Sequence, residues 1–140
     1  MLKTIKILAI DREEIILKSI RKALKGDTKI NYMVSSCTTA LDGLKLIRSD
    51  TFDLVFLDLV LPGLNGIEVL RRIKNIYPAI PVIVMSGFSS SSIHFNSVGQ
   101  GNYSSETLNS AAGFLLKPFT IEEIKSLIAS VLTSKEQKVK

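Results

Sequence analysis

Four residues able to do chemistry each close a short apolar run. Asp11 follows Ile7-Leu8-Ala9-Ile10, Asp58 follows Leu54-Val55-Phe56-Leu57, Ser86 follows Val82-Ile83-Val84-Met85, and Lys117 follows Phe114-Leu115-Leu116. Runs of this length read as buried strands, and in an open parallel sheet the C-terminal strand ends form the mouth where ligands bind. A parallel sheet brings all four residues to one edge. Two carboxylates, a hydroxyl and an ammonium converging there suit a divalent cation together with a phosphoryl group: the carboxylates hold the metal, and the hydroxyl and ammonium take phosphoryl oxygens. Taken singly each residue is a weak signal, since an aspartate at a strand end is often a cap. Their common placement is what carries weight.

The elements that must position them can be read from periodicity. Strands are expected over 6–10, 31–35, 53–57, 81–85 and 113–116. Helices are expected over 12–25, 39–48, 66–77 and 121–132, where apolar residues such as Ile67, Leu70 and Ile73 recur at helical spacing. Strands alternating with helices imply right-handed crossovers and a parallel sheet covered on both faces. The fold class is therefore α/β, a doubly wound five-stranded parallel sheet. No internal repeat is visible.

The connection before the fifth strand breaks the pattern. Residues 75–105 contain no Asp, Glu, Lys or Arg, and 86–105 hold eight serines and three glycines. A short helix of two turns is expected over 104–112, capped by Asn102 or Ser104. A long loop should precede it, more open to hydrogen exchange than the strands, with Ile93, Phe95, Val98 and Tyr103 as anchors for a partner. His94, the single histidine, falls in this loop with no cysteine or second histidine nearby and reads as an ordinary loop side chain.

Composition narrows the class. The chain has 140 residues, 46% apolar and 22% charged, which suits one domain over 1–140. No stretch reaches the roughly 18 apolar residues of a membrane span, and the first apolar run is too short for a signal-peptide core. A cytoplasmic location and no membrane partner are expected. Cys37 is the single cysteine, so no internal disulfide can form, and its expected role is packing. The net charge of +5 is spread over Lys18, Arg21, Lys22 and Lys25, over Arg71, Arg72 and Lys74, and over Lys135, Lys138 and Lys140. Scattered groups of this kind read as solvated faces, and direct nucleic-acid binding is not expected.

On these residues the sequence resembles the receiver domains of bacterial two-component response regulators, of the flavodoxin-like fold. The resemblance rests on Lys-Ile-Leu-Ala-Ile-Asp ending at Asp11, Phe-Asp-Leu-Val-Phe-Leu-Asp-Leu-Val-Leu-Pro-Gly-Leu-Asn-Gly around Asp58, Pro-Val-Ile-Val-Met-Ser-Gly around Ser86, and Gly-Phe-Leu-Leu-Lys-Pro-Phe around Lys117. It implies that Asp58 accepts a phosphoryl group from a histidine kinase or phosphotransfer protein, and that a downstream protein or output domain reads the result. It also implies a Mg²⁺ site made by Asp11, Asp58 and the backbone carbonyl of Val60, with Ser86 and Lys117 on the acyl phosphate. Phe114 would hold the aromatic position that moves with Ser86, and the Lys117-Pro118 bond would be cis, an isomer open to X-Pro bonds.

Two departures from the family pattern stand out. Two adjacent acids usually end the first strand, whereas here the pair is Asp11-Arg12. Unit charges about 4 Å apart interact by roughly 4 kcal/mol at an effective dielectric of 20, so a guanidinium inside the site would oppose a divalent ion. Arg12 could carry its head to solvent, with Glu13 reaching in through water, or it could pair with Asp58 and stand where the metal would. The second departure is the insertion at about 88–105. These features keep a second reading open, an atypical receiver acting as a protein-interaction module without efficient phosphorylation. An enzyme is not expected. A haloacid-dehalogenase-type phosphohydrolase needs a second aspartate where Val60 stands, and flavin or dinucleotide binding needs a glycine-rich turn that Asp-Arg-Glu-Glu-Ile lacks.

Overall fold

The structure, a computed structural model, describes residues 2–87 and 105–139. Five strands, β1 (Lys3–Ile10), β2 (Ile30–Cys37), β3 (Leu54–Asp58), β4 (Val82–Gly87) and β5 (Gly113–Lys117), form one parallel sheet in the order β2-β1-β3-β4-β5. The helices are α1 (Glu14–Leu24), α2 (Ala40–Ser49), α3 (Gly66–Ile76), α4 (Ser105–Asn109) and α5 (Ile121–Val139). The order reverses direction between β1 and β3, and this switch point places a crevice at their C-terminal ends.

Two cores follow from the pleat, because alternate residues of a strand face opposite sides. Leu8, Ile10, Val55, Leu57, Val82 and Val84 pack with α2 and α3 through Leu44, Ile47, Leu70 and Ile73. Ile7, Ala9, Leu54, Phe56, Ile83 and Met85 pack with α1 and α5 through Leu17, Ile20, Ile124 and Ile128. All five residues of β3 are buried, the pattern of a central strand with both faces covered. Cys37 packs at the rim of the first core as the sequence suggests. Burial pushes its thiol up to about 11, leaving it protonated and unreactive at neutral pH.

Element boundaries differ from the sequence expectation in places where pairing, not apolarity, sets them. β1 begins at Lys3 rather than residue 6, because Lys3 and Thr4 pair with Ile30 and Asn31, and β2 runs on to Cys37 opposite Ile10. The last helix runs to Val139, not 132, since Ser-Lys-Glu-Gln-Lys-Val contains no glycine or proline to stop it. Among the described residues α4 spans Ser105–Asn109 and ends before 112, and its chain then turns so that the Ala112 amide can donate to the Val82 carbonyl at 2.8 Å. The loop expected before it, with Ile93, His94, Phe95, Val98, Asn102, Tyr103 and Ser104, lies outside the described residues.

Candidate functional site

The sheet register carries the strand ends to one edge. Asp11 follows β1 directly, and its amide donates to the Cys37 carbonyl at 3.2 Å. Asp58 ends β3 opposite Met85, and Ser86 stands opposite Leu116, one position before the pairing of Gly87 with Lys117. Asp11, Asp58 and Ser86 are the buried polar or charged residues among those described, at 0%, 2% and 8% exposure. Such groups are kept from water only where other groups or a ligand compensate them.

One ammonium compensates both carboxylates. Lys117 Nζ lies 2.6 Å from Asp11 Oδ2 and 3.5 Å from Asp58 Oδ2, and its side chain is only 10% exposed. The sequence places Lys117 near Asp58, and the structure does so, yet the tighter contact is with Asp11. The other oxygen of each carboxylate is held by a local backbone amide. Glu13 N donates to Asp11 Oδ1 at 2.8 Å, and Val60 N donates to Asp58 Oδ1 at 3.0 Å. These bonds fix both carboxylate planes and aim the two Oδ2 atoms at the crevice. Neither Oδ2 accepts a well-directed hydrogen bond, so Lys117 meets them as an ion pair alone.

Burial pushes the Asp58 carboxyl up to about 6, and the Asp11 charge adds to the rise, while the Val60 amide and Lys117 hold it down. A single ammonium shared between two desolvated carboxylates leaves the pocket short of positive charge.

The chain around Asp58 is set by a close approach. The Leu59 amide donates to the Met85 carbonyl at 3.2 Å, and the Gly66 amide donates back to the Leu59 carbonyl at 3.1 Å. The loop between them turns through Gly63 at φ +82°, in the left-handed region that glycine adopts without strain. Asn65 then caps α3 by accepting from the Ile67 amide at 2.8 Å. Gly66 is a positioning residue that pattern reading missed. Its signal was the Pro-Gly-Leu-Asn-Gly run, which marks a turn without showing what the second glycine touches.

Arg12 and Glu13 are both exposed, and Arg12 has no ion pair among the described residues. The alternative in which Arg12 pairs with Asp58 is therefore not what the structure shows. Asp11 is buried while Arg12, in the bend that follows β1, is exposed, and Lys117 takes the place beside the carboxylates. Phe114 is half exposed at 51%, and the Lys117-Pro118 bond is cis as the resemblance implies.

The donor set fits a hard divalent cation in part. Two buried carboxylate oxygens lacking directed donors suit an oxygen-seeking ion, and Val60 sits at the rim next to Asp58. No group of three His, Cys, Asp or Glu residues able to hold a metal occurs among the described residues, so a carbonyl and water would have to complete the shell. No helix among the described residues is long and apolar enough to cross a membrane.

Comparison with known proteins agrees with this architecture. The profile of the response regulator receiver domain matches residues 7–129. Response regulator ArlR of Staphylococcus saprophyticus is 30% identical over 133 residues, covering 95% of this chain and 54% of that protein. The same regulator from Staphylococcus aureus is 32% identical over 111 residues, covering 79% of this chain and 46% of that protein. The chain thus spans about half the length of the curated relatives it matches. A CheY-like receiver domain protein from Methanospirillum hungatei superposes with a TM-score of 0.78 at 28% identity, covering 99% of both chains. A receiver domain protein from Clostridium thermocellum gives 0.74 at 27% identity, covering 95% of this chain and 98% of that one.

Proposed function

Because the chain belongs to the response regulator receiver domain family of two-component systems, we propose that Asp58 is its phosphoryl acceptor, supplied by a histidine kinase or phosphotransfer protein and read by a downstream protein or output domain. The observation that carries this reading is the buried cluster in which Lys117 bridges Asp11 and Asp58 at 2.6 and 3.5 Å. Asp58 Oδ1 is engaged by the Val60 amide, which leaves Oδ2 as the nucleophile.

In the transfer, Asp58 Oδ2 forms a bond to phosphorus as the P–N bond of a phosphohistidine breaks. The electron pair of that bond returns to the imidazole nitrogen of the donor. Charge moves to the phosphoryl oxygens, and positioned cations and donors stabilise it there. Lys117 stands close enough to exchange its contact with Asp58 for a phosphoryl oxygen, and the Ser86 hydroxyl lies at the same edge. Mg²⁺, held by Asp11, Asp58 and the Val60 carbonyl, would neutralise part of the phosphoryl charge. The chain acts here as a signalling domain that accepts the group and presents a changed surface, not as an enzyme on a separate substrate.

Incubation with a small phosphodonor such as acetyl phosphate, with and without Mg²⁺, should add phosphoryl mass at Asp58 and none to Asp58→Asn. If no donor adds mass under either condition, the chain is a phosphorylation-independent interaction module instead. Arg12→Asp should restore the second acid of the family pattern and tighten Mg²⁺ binding by about tenfold or more, as removing a nearby positive charge and adding an anionic ligand requires. Equal affinity of both proteins in a Mg²⁺ titration would show that the Arg12 charge is fully screened by solvent.

A further inference from the structure

We infer that Arg12 contacts the phosphoryl group on Asp58 and supplies there the positive charge that a second strand-end acid and its metal would otherwise bring, an inference that rests on Asp58 being the acceptor. The first argument is charge. A carboxylate ligand carrying a bound divalent ion amounts to one net positive charge, which is what Arg12 carries alone. The phosphorylated pocket therefore has the same total charge with Asp11, Lys117 and Arg12 as with an added acid and Mg²⁺. Without Arg12 and without metal, Lys117 would face the Asp11 carboxylate and a near-dianionic phosphoryl group by itself, and it is already committed to Asp11 at 2.6 Å.

The second argument is placement. Arg12 follows Asp11 directly, so its Cα lies about 3.8 Å from that of a pocket residue. Its side chain is exposed and has no ion pair among the described residues, which leaves the guanidinium free to turn. Asp58 is 2% exposed, so a phosphoryl group added to it must extend outward to the mouth of the crevice. The group is thus carried toward the guanidinium, which need not be buried to reach it. A guanidinium offers paired N–H donors that match two phosphoryl oxygens, which an ammonium does not.

The consequence is a receiver whose phosphoryl state is held without a divalent ion. Trifluoroberyllate, which joins a carboxylate oxygen and mimics a phosphoryl group in shape and charge, is a suitable probe. Its binding can be followed by fluorine NMR in EDTA and again in Mg²⁺. Arg12 is exposed, so its variants should fold like the parent. The unaltered protein should bind the probe in EDTA, Arg12→Gln should bind it about tenfold or more weakly there, and Arg12→Lys should fall between them. Arg12→Asp should bind only with Mg²⁺. Equal binding by the unaltered protein and Arg12→Gln in EDTA, or no binding by the unaltered protein without Mg²⁺, would overturn the role of Arg12 while leaving Asp58 as acceptor. Absence of binding by every variant in both conditions would instead remove the acceptor reading, and this inference with it.

Discussion

Asp58→Asn should be more stable than the unaltered protein at pH 7.5, by up to about 3 kcal/mol, while losing phosphoryl acceptance altogether. The carboxyl of Asp58 stands near 6 when folded against 3.8 for a free aspartate, chiefly because burial disfavours its charged form. Between those values the folded protein binds a proton that the unfolded chain has released. The stability contributed by the neutral carboxyl is therefore fully present below about pH 4 and is lost as the pH rises through 6. An asparagine keeps the neutral form at every pH, so its advantage should be small at pH 4 and largest above 7. Urea unfolding of both proteins across this range checks it. Asp27 and Glu68, whose ion pairs hold them down near 2, are common to both proteins and drop out of the difference. A variant no more stable than its parent at pH 7.5 would mean that Lys117 alone fully offsets the buried Asp58 charge.

Gly66→Ala should destabilise the fold by about 2–3 kcal/mol and slow phosphoryl transfer at Asp58 without touching a reactive group. A Cβ on Gly66 would lie 2.5 Å from Leu59 Cα and 2.7 Å from the Leu59 carbonyl carbon, and closer still to the Asp58 carbonyl oxygen. These are backbone atoms, so no side-chain rotation relieves the clash. Either α3 moves outward and lifts its own Leu70 and Ile73 from the core, or the Asp58–Val60 turn shifts and spoils the bond from the Val60 amide to Asp58 Oδ1. Denaturant midpoints give the first effect, and the rate of mass gain with a small phosphodonor gives the second. By contrast, Gly63→Ala should cost stability through its φ of +82° alone, since nothing lies within 4 Å of a Cβ there. Similar transfer rates for Gly66→Ala and Gly63→Ala would show that the Gly66 contact does not position Asp58.

The sequence by itself determined the doubly wound sheet and the positions of Asp11, Asp58, Ser86 and Lys117 at its mouth. Strand ends are local events: an apolar run stops, and the next residue is the one presented. Periodicity also marked α1, α2 and α3 to within about two residues, because their apolar faces repeat at the spacing of the helix. Element ends set by partners were not legible. Lys3 and Thr4 are polar and become strand only through pairing with β2, and the extension of α5 reflects the lack of a stop signal in a polar tail. Within the site, tertiary structure alone decided that Lys117 sits tighter on Asp11 than on Asp58, that Arg12 faces solvent, and that Gly66 lies against the backbone of Asp58 and Leu59. Each of these depends on distances between segments remote in sequence, or on the direction a side chain takes from a fixed backbone. Hydrophobic patterning constrains neither, because it states which residues leave water and not what they meet when they do.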